Sequence, residues 1–150
     1  MSRILVATDG SEPAMNAVEY AAELAKKINA GLVVLHVIKM QMHEHHWVAV
    51  KRSLEEELRE KGDEVLKEVK KKFSKKGIEV ETVSRVGMPH EEIIKHATEN
   101  DVAMVIMGAS GKDFLTRRLL GSVTEKVVKE VGRKLSCPLV ITPARKSWVI

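Results

Sequence analysis

Leu32 to Ile38 is an apolar run broken only by His36. A segment of this kind has no polar face to offer to water. It suits a strand covered on both sides, as in a parallel sheet held between helices.

The flanking sequence supplies those helices. Arg3 to Thr8 is a short β-rich run that ends at Asp9-Gly10-Ser11. Ser11 predicts an N-cap, with Pro13 in the first helical turn. Ala17, Ala21, Leu24 and Ile28 carry an apolar stripe to Asn29, and Gly31 closes the unit. An irregular connection covers residues 40–50. Lys51 to Lys76 then reads as a long charged helix with Leu54, Leu58, Val65, Leu66, Val69 and Phe73 on one face. Glu57/Lys61 and Glu68/Lys72 are i,i+4 pairs in the favourable order. Gly62 is a weak point inside this helix, and Gly77 ends it. Ile78 to Val86 alternates as a strand, with Val80 and Val83 on opposite faces. Pro89 opens a short helix to about Glu99. Val102 to Met107 is the fourth strand, Val123 to Val131 a helical pattern, and Leu139 to Thr142 the fifth strand.

Strands alternating with helices in this way predict a doubly wound α/β fold, a five-stranded parallel sheet with right-handed crossovers. The 150 residues suit one domain over 1–150, and no repeat or linker interrupts them. In such sheets ligands sit beyond the carboxyl ends of the strands, at the point where strand order reverses. Asp9 and Gly108 each follow a strand directly. If the first and fourth strands are neighbours, both residues border one crevice.

The net charge of +4 is mild, and the lysines are interleaved with glutamates. Aromatic residues make up only 3%, which argues against a base-stacking platform for single-stranded nucleic acid. Solvated helix faces explain the charge without a nucleic-acid partner. No segment is apolar for long enough to span a membrane. The single cysteine, Cys137, permits no internal disulfide and fits a reducing cytoplasm. Its apolar surroundings before Pro138 favour a buried, inert thiol.

The chemistry concentrates after the fourth strand. Gly108-Ala109-Ser110-Gly111 is followed by nine residues and then Gly121-Ser122, at the start of a helical pattern. Glycine admits close backbone approach, and a helix start offers N–H groups with no intrahelical acceptor. The stretch reads either as a polyphosphate cradle or as a loop before a capped helix. Ser122 suits either role, capping the helix or donating to a phosphate. It is not a Walker A loop, because Asp113 follows Lys112 and Ile106 stands at the first glycine position. Nor is it G-x-G-x-x-G.

The spacing G-x2-G-x9-G-S/T after an apolar strand resembles the nucleotide-binding signature of the universal stress protein family. Other segments resemble that family in order: Ile4 to Ser11, Leu35-His36-Val37-Ile38, Val86-Gly87-Met88-Pro89-His90-Glu91-Glu92-Ile93, Val105 to Gly108, and Leu120 to Thr124. The resemblance implies a sheet order of 3-2-1-4-5 with helices on both faces, like that of adenine nucleotide alpha hydrolases. It also implies ATP, or ADP or AMP, at the switch between the first and fourth strands. By position, Asp9 would meet the ribose and a divalent metal, magnesium or manganese. The backbone of Val37 would hydrogen-bond the adenine edge, with Ala7 and Thr8 as the floor and Gly87 and Met88 flanking the base. Gly108 would lie beside the ribose, and Gly111, Gly121, Ser122 and Val123 would hold the phosphates. The family resemblance further implies a homodimer paired through the last strand. The chain departs from the family pattern at Ser110, where histidine or arginine is frequent. A second departure is a last helix that runs on through Val131 to Leu135.

Several residues have ordinary readings beside functional ones. His43, His45 and His46 with Glu44 match no defined metal spacing and suit a solvated loop. His36 reads as a satisfied core histidine, His90 as a helix-cap residue, and Asp101 as a turn residue. Lys112, Arg117 and Arg118 either offset a triphosphate or form a solvated basic face. Trp148 and Ile150 either join the dimer interface or fray. No general base or transfer acceptor stands out, so a site that holds ATP for sensing or regulation, through unknown protein partners, is expected ahead of an enzyme. The rival readings are a slow ATPase or phosphotransferase, and a structural dimer without nucleotide.

Overall fold

In a computed structural model of the chain, the described residues are 1–39, 48–110, 120–145, 148 and 150, with backbone alone at 48–51. Strand β1 (Arg3–Ala7) leads through helix α1 (Glu12–Ile28) to β2 (Gly31–Lys39). Helix α2 (Val48–Ser74) precedes β3 (Val80–Gly87), and α3 (Pro89–Glu99) precedes β4 (Met104–Gly108). Helix α4 (Ser122–Val128) precedes β5 (Leu139–Thr142). The strands are parallel and ordered β3-β2-β1-β4-β5, as expected.

Successive side chains on each strand face opposite helical layers. Ile4, Val6, Val34 and Ile106 pack under α1 and α2, whereas Leu5, Val33, Leu35 and Val105 pack against α3 and α4. Leu32 to Leu35 are at most 1% exposed, so the apolar run is covered on both faces. Val80 and Val83 divide between the two layers as their alternation predicts. Helix α1 turns Ala17, Ala21, Ala22 and Ala25 to the sheet. These short side chains bring its backbone close to β1 and β4.

The helix ends differ in detail from expectation. Ser11 caps α1, its Oγ accepting from the Ala14 N–H at 3.4 Å. The helix stops at Asn29, which is left-handed at φ 55° and donates its N–H to the Ala25 and Lys26 carbonyls. Gly31 is already the first residue of β2. At the other end of the chain, α4 stops at Val128, short of the expected Val131. Turns carry the chain on through Gly132 at φ 81°, a backbone conformation that glycine alone adopts without strain. The long last helix is therefore a short helix followed by turns. Trp148 packs edge-on against Tyr20 of α1, with ring centroids 5.6 Å apart.

Helix α2 is longer than the sheet it covers. Its 27 residues span roughly 40 Å, against roughly 30 Å for the 9-residue β2. The C-terminal half buries Leu66, Val69 and Phe73. Its other half runs beyond the carboxyl ends of the strands, leaving Leu54 and Leu58 at 54% and 43% exposure. The single apolar face read from the sequence is thus two surfaces, one in the core and one above the strand ends. Lys61 pairs with Glu57 at 3.8 Å, as expected. Lys72 reaches across to Glu19 of α1 at 3.1 Å and not to Glu68.

Candidate functional site

At the carboxyl ends of β1 and β4 the chain leaves in opposite directions, toward α1 on one face and α4 on the other. The two strands pair through Ile4–Met104, Leu5–Val105 and Val6–Ile106. A crevice of about 1220 Å³ opens where they part. Asp9 and Gly108 border it together, with Ala7, Thr8, Val37 and Ser110.

The β1–α1 loop is built by side chains that hydrogen-bond the backbone two or three residues onward. Thr8 Oγ1 accepts from the Gly10 N–H at 3.1 Å, and Asp9 Oδ1 accepts from the Ser11 N–H at 3.0 Å. Gly10 takes φ 82°, a conformation strained for any residue with a Cβ. The turn holds Asp9 at the crevice wall. Thr8 is only 5% exposed, and its N–H extends the ladder to Leu35 at 2.9 Å.

Strand β2 outruns β1. Their last register pair is Ala7–Leu35, and β2 continues to Lys39 beside β3. Peptide groups two residues apart on a strand point the same way. Leu35 directs its carbonyl to the β1 side, so Val37 directs both its N–H and its carbonyl into the space past the end of β1. A donor and an acceptor therefore lie side by side on the crevice wall.

On the opposite wall, Gly121, Ser122, Val123 and Thr124 line the crevice. The N-cap of α4 is Gly121, not Ser122, and it carries no side-chain cap. The Gly121 N–H bonds the Ala109 carbonyl at 2.7 Å, tying the two ends of the glycine stretch together. Ser122, Val123 and Thr124 occupy the first turn, where N–H groups have no intrahelical acceptor. With 7 residues, α4 has only a small dipole, so these N–H groups are its main offer to an anion. Thr124 Oγ1 donates to the Gly108 carbonyl at 2.9 Å, which locks α4 to the end of β4.

Gly108 is small for a packing reason that the sequence did not reveal. A Cβ there would stand 2.9 Å from the Pro13 carbonyl oxygen and 3.1 Å from that of Ser110. The start of α1 rests directly on the end of β4. Gly87 and Met88 directly precede Pro89, which lines the crevice. Gly87 makes room for Glu92, whose carboxylate would lie 2.8 Å from a Cβ and is 3.9 Å from Arg85 Nη1. Met88 is the N-cap of α3, and Pro89 and Ile93 of that helix line the crevice. His90 makes no cap; its Nε2 lies 4.0 Å from Glu91. Gly111, Lys112, Arg117 and Arg118, and the His43, Glu44, His45, His46 group, lie outside the described residues.

Sequence reasoning missed the part played by α2. Leu54, Leu58, Lys61, Gly62 and Val65 line the crevice from above. Gly62, read as a weak point, is buried where a Cβ would stand 2.5 Å from the His36 ring. The available signal was a glycine on the apolar face of a helix, where close approach outweighs propensity. Cys137 is partly buried beside the second core layer, and burial pushes its thiol pKa upward. Among the described residues, no group of three or more His, Cys, Asp or Glu side chains is placed to hold a metal. Among them, too, no helix is long and apolar enough to cross a membrane.

Fold and crevice define a doubly wound α/β protein with a crevice at the β1/β4 switch point, the place where sheets of this kind take ligands. Residues 1–143 match the universal stress protein family, and the chain belongs to it. Universal stress protein MJ0531 of Methanocaldococcus jannaschii is 32% identical over 149 residues, covering 96% of this chain and 83% of that protein. YxiE of Bacillus subtilis is 31% identical, covering 93% and 97%. The solved structure of MJ0577, also from M. jannaschii, superposes with a TM-score of 0.80 at 32% identity, covering 97% of this chain and 98% of that one.

Proposed function

We propose that the crevice binds ATP, or the related ADP or AMP, and that the protein acts as a nucleotide-dependent sensor or regulator. The observation that carries this reading is the Val37 peptide. Its N–H and carbonyl match the acceptor N1 and donor N6 of adenine, and they open on the same crevice as Asp9 and the first turn of α4. Two proteins of the same fold have been solved with adenine nucleotides: a universal stress protein with cAMP, and one from Archaeoglobus fulgidus with dAMP.

In this reading the base lies against Val37, with Ala7 and Thr8 beneath, and the ribose meets Asp9 and Gly108. The phosphates meet Ser122 and Val123, with Gly111 and Gly121 leaving room for them. A single carboxylate suits magnesium or manganese, which accept one protein oxygen together with phosphate oxygens and water. Asp9 lines the crevice and would hold such an ion with the nucleotide. The metal would offset phosphate charge, while the protein groups bind and orient. The outer edge of β5, with Ile141 37% exposed, pairs with a second copy to form a homodimer. An apolar strand edge is suited to that pairing.

Mass spectrometry of gently purified, denatured protein is expected to release ATP, ADP or AMP. Calorimetry with ATP and magnesium is expected to show saturable binding. Asp9→Asn keeps an acceptor for the Ser11 N–H and removes the charge, so it is expected to weaken magnesium-dependent binding without unfolding the loop. The absence of both co-purified nucleotide and a heat of binding would overturn the reading.

A further inference from the structure

The first half of α2 carries an apolar stripe that the protein core does not use. Leu54 and Leu58 lie one turn apart there and line the crevice; Gly62 and Val65 line it further along the helix, where Val65 also packs against the core. Leu54 and Leu58 remain largely exposed, although the same face one turn further on is buried. At Gly62 the helix rests on the His36 ring, which fixes the height at which the stripe stands above the strand ends. The crevice beneath, at about 1220 Å³, exceeds the roughly 300–1,000 Å³ usual for small-molecule pockets.

We infer that Leu54 and Leu58 form the upper wall of the site and cover the purine ring of the bound nucleotide; this rests on the adenine-nucleotide reading of the crevice. The charge pattern selects the base over the phosphates as the occupant. Glu55 and Glu57 border the crevice from the same helical turns, and Lys61 is already engaged with Glu57. A triphosphate beside these carboxylates would be repelled. A flat, uncharged ring with apolar faces is compatible with both the leucines and the nearby acids. Polar atoms on its edge are met by the Val37 peptide from the side. The leucines therefore act on affinity through the base, and equally for every adenine nucleotide whatever its phosphate count.

The test is the double variant Leu54→Gln/Leu58→Gln, titrated calorimetrically with ATP and with AMP. Both side chains are exposed enough that the fold is expected to survive, which a thermal melt checks. Binding of both nucleotides is expected to weaken by the same factor, about tenfold or more. Ile28→Gln, at another exposed apolar site outside the crevice, is expected to change neither. Amide exchange over residues 52–61 is expected to slow when ATP is added. Unchanged affinity in the double variant, or a loss confined to ATP, would overturn the inference. So would loss of self-association without a change in nucleotide binding, because the stripe would then cover a second copy of the chain. If the parent protein itself binds neither ATP nor AMP, the reading of the crevice fails and takes this inference with it.

Discussion

Gly62 of α2 lies against the imidazole of His36 on β2, so closely that a Cβ would stand 2.5 Å from both Cε1 and Nδ1. In an ordinary helix interior, alanine would be favoured over glycine by about 1 kcal/mol. Here the added methyl has no room, and overpacking costs roughly 1–3 kcal/mol. Gly62→Ala is expected to lower stability by about 1 kcal/mol in urea unfolding. Adding His36→Ser is expected to restore the midpoint. A rise in the midpoint for Gly62→Ala alone would show that the contact does not constrain the helix.

Gly108 is expected to be intolerant of alanine for a reason independent of any ligand. The atoms in the way are backbone carbonyls of Pro13 and Ser110, which cannot swing aside as a side chain would. Gly108→Ala is expected to destabilise by roughly 1–3 kcal/mol, measured without nucleotide.

Thr124 ties α4 to the Gly108 carbonyl in a buried hydrogen bond of 2.9 Å. Thr124→Val keeps the shape and removes the donor. It is expected to cost about 1 kcal/mol, and to raise amide exchange from Glu125 onward, where the N–H groups are held by the helix, relative to the parent.

His96 gives the fold a dependence on pH. It is 4% exposed on α3, and its Nδ1 lies 3.3 Å from Arg85 Nη2. Burial first, then the charge of Arg85, hold its pKa below the ordinary 6.5; Glu81 opposes this, Arg3 adds a smaller push downward and Glu99 a still smaller one upward. The folded state thus keeps His96 neutral, while the unfolded chain takes up the proton more readily. This contribution is complete above about pH 6.5 and is lost as pH falls through the folded value. Unfolding free energy is expected to drop between about pH 7.5 and pH 5.5, and to drop less in His96→Gln. An equal drop in both proteins would assign the effect to other groups.

Gly121→Val is expected to weaken ATP binding more than AMP binding. The branched side chain would enter the part of the crevice assigned to the distal phosphates, where glycine leaves the backbone bare. Calorimetry with both nucleotides checks it. Equal affinity for ATP in a folded variant would move the phosphates elsewhere.

The sheet was legible because its causes are local. An apolar run, alternating strands and capped helices each report their own burial through residue type. The helix ends were less legible. Asn29 ended α1 two residues before the glycine expected to do so, because a left-handed cap accepts asparagine as well. Gly132 came in turns after α4, not in a longer helix, and nothing in the periodicity distinguished the two.

Hydrophobic period and turn chemistry are properties of short segments, so the parallel α/β architecture and the position of Asp9, Gly108 and Gly121-Ser122 at strand and helix ends could be read along the chain. What those residues touch came from packing between distant elements. It gave Gly108 to the Pro13 carbonyl and Gly87 to Glu92, freed the Val37 peptide by ending β1 early, and set Leu54 and Leu58 above the crevice. Each of these follows from the relative lengths and spacings of elements distant in sequence, which no local pattern of residues records.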